Sequence, residues 1–115
     1  MEEVEIDVGA GEVSPELVSF ALIAKAGEAR SKAFAALEAA KKGDFDAADA
    51  LMKESSASAL EAHHAQTDLL VKEANGDHTP VDVLLVHAQD HLMTSMLARE
   101  LISEIIEVRR EVAGK

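Results

Sequence analysis

Two histidines and an aspartate stand within five residues of one another, at His87, Asp90 and His91, and Thr94 follows them. On a helix the spacing i, i+3, i+4, i+7 puts all four on one face. Three readings fit these residue types. In the first, a neutral imidazole attacks phosphorus and holds the group as a phosphoramidate. Histidine suits that task because its unprotonated form is well populated near neutral pH. In the second, His-x-x-Asp-His has the spacing of the inverted zinc motif His-x-x-Glu-His, and two imidazoles one turn apart grip a metal. That reading lacks an evident third ligand and asks the shorter Asp90 to serve as general base. In the third, the groups do no chemistry and are satisfied by one another or by backbone.

The elements that must hold this cluster are well punctuated. Ser14-Pro15 reads as an N-cap followed by proline in the first turn, and helix formers run from there to Lys42. Gly43 stands where a left-handed residue would close the helix, and Asp44 can cap a second helix from Phe45 to about Ala74. Asn75-Gly76-Asp77 breaks it. Thr79-Pro80, with Asp82 three residues after Thr79, resembles a capping box opening a third helix that runs to about Val112. Helices of roughly 28–33 residues would each span on the order of 40–50 Å. The first connection is too short for anything but a reversal, so the expectation is an all-α, up-down-up antiparallel three-helix bundle over residues 14–115. Residues 1–13, rich in acid, are expected to form a disordered leader.

The third helix carries more apolar surface than one bundle face uses. Val81, Leu85, Leu92, Ile102 and Ile106 fall on one side, and Leu84, Leu97, Leu101, Ile105 and Val108 form a neighbouring stripe. Glu100, Glu104, Glu107, Arg110 and Glu111 supply the wet side. So wide an arc points to self-association through this helix or to a monomer with a generous core. The cluster of His87, Asp90, His91 and Thr94 interrupts the second stripe, where polar groups are costly unless bonded, paired or liganded. Elsewhere, Gln66 and Thr67 share the face of His63 on the second helix, next to His64. His78 reads as an incidental turn residue. Met93 and Met96 read as core or partner contacts.

Composition narrows the partners. Among 115 residues, 48% are hydrophobic and only 3% aromatic, with no Trp or Tyr, so the core is built from Ala, Leu, Ile, Val and Met. That palette suits close-packed helices. Eleven Lys and Arg against 22 Asp and Glu give a net charge of −11, which repels nucleic acid and anionic membranes and favours basic protein partners. Without cysteine there is no disulfide, thiol nucleophile or thiolate metal site. No basic, apolar signal sequence opens the chain, and no apolar run nears the length of about 18 residues that marks a membrane span. A soluble, cytoplasmic protein is expected.

The run Leu85-Val86-His87-Ala88-Gln89-Asp90-His91-Leu92-Met93-Thr94-Ser95-Met96, continuing through Leu97-Ala98-Arg99-Glu100-Leu101, closely resembles the signature of the lactose/cellobiose-type enzyme IIA proteins of the bacterial phosphoenolpyruvate-dependent sugar phosphotransferase system. Ala26-Gly27-Glu28-Ala29-Arg30-Ser31 with Lys42-Gly43-Asp44-Phe45, and Glu61-Ala62-His63 with Gln66-Thr67, agree with it. The resemblance covers about residues 15–112.

It implies a homotrimer of three-helix subunits with the third helices near the threefold axis. His87 matches the phosphorylated histidine, loaded by the phosphocarrier HPr and unloaded to a cysteine of a cognate enzyme IIB. That partner serves a membrane-embedded IIC. Asp90 matches a metal-binding aspartate, implying one structural Mg²⁺ or other divalent cation per trimer, and His91 is expected to help shape the site. Three rivals remain. A metal-dependent hydrolase would use His87, Asp90 and His91. A two-component histidine phosphotransfer domain would usually carry Lys where Asp90 stands. The third is a purely structural trimeric bundle. The HAQDHLMTSMLAREL stretch leans toward a β-glucoside or chitobiose sugar.

Overall fold

A computed structural model describes residues 14–115, so the expected acidic leader at 1–13 lies outside the described residues. Three helices account for nearly all of it: α1 (Pro15–Lys41), α2 (Phe45–Ala74) and α3 (Val83–Ala113). They form an up-down-up rod with extents of 55 × 25 × 21 Å.

Local chemistry sets most of the helix ends. The Ser14 hydroxyl accepts the Leu17 N–H at 3.2 Å, and Asp44 Oδ1 accepts the Ala47 N–H at 3.1 Å. Gly43 and Gly76 close the first two helices in left-handed conformations, φ +80° and +86°. In both cases the glycine N–H and the next N–H turn back onto carbonyls of the last turn: Gly43 to Ala40 and Asp44 to Ala39, then Gly76 to Glu73 and Asp77 to Lys72.

The start of α3 departs from expectation. Thr79 and Pro80 precede the helix, and Asp82, expected as the far partner of a capping box, is itself the cap. Its Oδ1 accepts the Leu85 N–H at 2.8 Å from an extended backbone. A carboxylate adds charge attraction to the positive helix end, which the Thr79 hydroxyl cannot match. Val81, expected on one apolar side of this helix, consequently stands outside it and is exposed.

The core divides into two apolar clusters. Near one end, Val18 and Leu22 pack with Ala62, Ala65, Ala88 and Leu92; near the other, Ala33, Ala36 and Ala40 pack with Ala48, Ile102 and Ile106. The many alanines let helix axes approach closely. Between the clusters runs a layer of buried hydroxyls, Ser55, Ser58 and Ser95. Ser55 Oγ donates to the Ala29 carbonyl at 2.6 Å and accepts from Arg99 Nε at 2.9 Å, while Arg99 Nη2 donates to Ser56 Oγ at 2.6 Å. Arg99 thereby joins α3 to α2 and, through Ser55, to α1.

Candidate functional site

His87, Asp90 and Thr94 lie on the side of α3 turned away from α1 and α2, and all three are exposed; His91 is half-buried at their flank. The four share a face, as their spacing requires. They are not buried among apolar neighbours of their own subunit, however. The buried side of α3 is carried by Ala88, Leu92, Ser95, Ile102 and Ile106. The desolvation argument for the cluster therefore applies only when something covers this face.

The two imidazoles touch edge to face, with ring centroids 4.5 Å apart and planes at 75°. This is the i, i+4 contact of a regular helix, and it limits the ring orientations open to His87. Thr94 Oγ1 donates to the Asp90 carbonyl at 2.7 Å, so its hydroxyl is engaged by its own helix. The Asp90 carboxylate has no hydrogen-bond or ion-pair partner among the described residues, which leaves both oxygens available to a hard cation. No group of three His, Cys, Asp or Glu side chains within the described chain converges to hold a metal. The arrangement required of a one-chain hydrolytic zinc centre is thus not assembled, and one Asp90 is an incomplete ligand set unless other copies add theirs.

Below the cluster the same face is apolar. Leu97, Leu101, Ile105, Val108 and Val112 are exposed, Leu97 by 56% and Val112 by 68%. With Val83, His87, Asp90 and Thr94 they form a seam whose steps alternate mostly between three and four residues, the pattern by which parallel helices interlock. An open groove of about 1100 Å³ lies between α2 and α3, lined by residues that include Lys53, Ser56, Arg99 and Glu104. Arg99 stands some twelve residues along α3 from His87, about 18 Å at the rise of a helix, so this groove is separate from the imidazole pair.

The remaining histidines are scattered. His63 and His64 are exposed on α2, and the Thr67 hydroxyl donates to the His63 carbonyl at 3.0 Å. His78 Nδ1 lies 2.5 Å from Glu73 Oε2 across the α2–α3 connection, so it has a local partner rather than none. Sequence reasoning missed a contact beside the cluster. Gln66 and Gln89 exchange two hydrogen bonds, at 2.6 and 2.8 Å, joining α2 to α3. The sequence signals were Gln66 standing one position from the core alanine Ala65 and sharing the His63 face, which antiparallel packing could bring near α3; neither named Gln89 as its partner.

The helical rod thus presents the His87 imidazole to solvent on its α3 face. Residues 17–110 match the family model of the phosphotransferase-system lactose/cellobiose-specific IIA subunit. The chain is 53% identical over 97 residues, 84% of each protein, to the N,N′-diacetylchitobiose-specific EIIA component of Escherichia coli K12. Its fold is similar to the crystal structure of the cellobiose-specific enzyme IIA from Bacillus anthracis, with TM-score 0.87 and 42% identity, covering 92% of this chain and 97% of that one. It is also similar to the solution structure of the IIA(chitobiose)–HPr complex of the Escherichia coli phosphotransferase system, with TM-score 0.77 and 49% identity, covering 89% and 99%. The chain belongs to the lactose/cellobiose-specific IIA family. It is a phosphotransferase component that carries a phosphoryl group in sugar uptake, and the hydrolase alternative finds no support in fold, site or relatives.

Proposed function

We propose that His87 is the phosphoryl acceptor, loaded by HPr and unloaded to a cysteine of a cognate enzyme IIB that serves a membrane IIC. The observation that carries this is the exposed His87 imidazole, fixed on a continuous helix with His91 against its edge. In loading, a ring nitrogen lone pair forms an N–P bond as the donor's N–P bond breaks. In unloading, a thiolate sulfur forms an S–P bond as the bond to His87 breaks. Little covalent help is needed beyond alignment and charge stabilisation. His91 acts in support, restricting the orientation of its neighbour.

The functional unit on this reading is a homotrimer joined along the exposed seam of α3. The apolar run from Leu97 to Val112 supplies the area, and three Asp90 carboxylates would meet near the axis. Like charges brought together in poor solvent either protonate or bind a cation. Asp90 is therefore the residue that would hold one Mg²⁺ or other divalent ion per trimer, whose part is to neutralise charge in the assembly. The place of action is the cytoplasm. No helix of the described residues is long and apolar enough to cross a membrane, so the route to IIC runs through IIB. The sugar is a β-glucoside or chitobiose, in keeping with the relative at 53% identity.

The test is phosphorylation by phosphoenolpyruvate, enzyme I and HPr. The label is expected to be acid-labile and base-stable, to vanish in His87→Gln and to survive in His91→Gln. Loss confined to His91→Gln would move the acceptor.

A further inference from the structure

α2 and α3 each pack closely on α1 but meet one another sparsely. Among the described residues three polar ties bridge them: Asp49 to Arg110 near one end, Ser55 and Ser56 to Arg99 at the middle, and Gln66 to Gln89 beside the imidazoles. The first two use a long, charged arginine. The third is different in kind. Gln66 Nε2 donates to Gln89 Oε1 at 2.6 Å, and Gln89 Nε2 donates to Gln66 Oε1 at 2.8 Å. One hydrogen bond is a pivot, whereas two between planar amides hold separation and orientation together. Both side chains are half-buried, so breaking the pair leaves amides poorly satisfied.

Gln89 lies two residues after His87, about 200° around the helix. The flank of α3 facing α2 is therefore clamped, and the clamp sets the direction in which His87 points on the far flank. We propose that the Gln66–Gln89 pair is a positioning device for phosphoryl transfer: it fixes the roll of α3 about its own axis, so that the His87 ring meets donor and acceptor in line. The inference rests on His87 being the acceptor. Neither glutamine touches the reacting atoms.

Methionine matches glutamine in length and lacks its hydrogen bonds, so Gln66→Met in the full chain is the decisive variant. Gln66 is on α2, and its loss reaches His87 only through the pair. Expected is a single-turnover rate of transfer from phosphorylated HPr lowered by about tenfold, with KM for HPr unchanged. Gln89→Met should fall equally, and the double variant no further than either single one, because the two act as a unit. If Gln66→Met does not fold, Gln66→Asn, one methylene short, gives the same reading. A full rate in Gln66→Met, even with a lowered unfolding temperature, reduces the pair to a fastening and overturns the proposal. A slow Gln89→Met beside a full-rate Gln66→Met also overturns it, by giving Gln89 direct contact with the phosphoryl group. Label persisting in His87→Gln is a separate failure, that of the acceptor assignment.

Discussion

The exposed face of α3 changes chemistry halfway along. From His87 to Thr94 it offers imidazole, carboxylate and hydroxyl; from Leu97 to Val112 it offers five aliphatic side chains in the same register. Backbone geometry is common to both halves. What differs is the use each can make of being covered. The aliphatic half would gain from burial at about 25 cal/mol per Å², and in the proposed trimer this gain would offset the cost of bringing the polar half together. On the proposed reading assembly and chemistry are laid end to end on one helix, and each can be attacked without first destroying the other.

The largest expected effect comes from charging the aliphatic half. In the proposed homotrimer Leu101→Asp would place three carboxylates in the seam, each costing several kcal/mol if desolvated, and should yield monomers by sedimentation. The fold should remain, because Leu101 is 54% exposed in the single subunit. An assembly that survives this change has its interface elsewhere. Making the polar half resemble the other is the converse. Asp90→Leu should preserve or tighten the assembly while abolishing bound divalent metal, measured by elemental analysis; dissociation into monomers would remove Asp90 from the axis.

A smaller effect tests how the polar half is anchored. Asp82→Ala removes the α3 cap and should cost about 1 kcal/mol in thermal or chemical unfolding, while Thr79→Ala should be neutral. The reverse order would restore Thr79 as the cap.

The smallest concerns α1. A hydrogen bond with Lys32, opposed by burial but joined by the charges of Lys25 and Lys32, holds the Glu28 carboxyl below its usual value. A depressed folded-state value means stabilisation present above the unfolded value and lost as pH falls through the folded one. Glu28→Gln should therefore lower the unfolding temperature slightly near neutrality and converge with the parent in acid. The effect is small because the pair faces solvent.

These residues also show what a sequence makes legible. Ser14, Gly43, Asp44 and Gly76 bond to backbone within a turn of themselves, so the helix ends they govern could be read by inspection. The α3 start was misplaced because two local caps, Thr79 and Asp82, competed within four residues, and their relative strength decided. The shared face of His87, Asp90 and Thr94 followed from spacing alone. Its exposure did not, since a stripe pattern cannot say whether the covering surface belongs to the same chain or to another. Gln66–Gln89 and Arg99–Ser55 were out of reach because they depend on how far α2 and α3 slide past one another, which alanine-rich surfaces scarcely encode.

His87 sits near one end of a rod 55 Å long, open to solvent on a single side. If His87 is the acceptor proposed above, a loader and an unloader must each bring an atom within bonding range of the same ring nitrogen, so they exclude one another at that site. On that reading traffic through each site would alternate like people at a turnstile, and a surplus of spent loader would delay delivery by standing in the way.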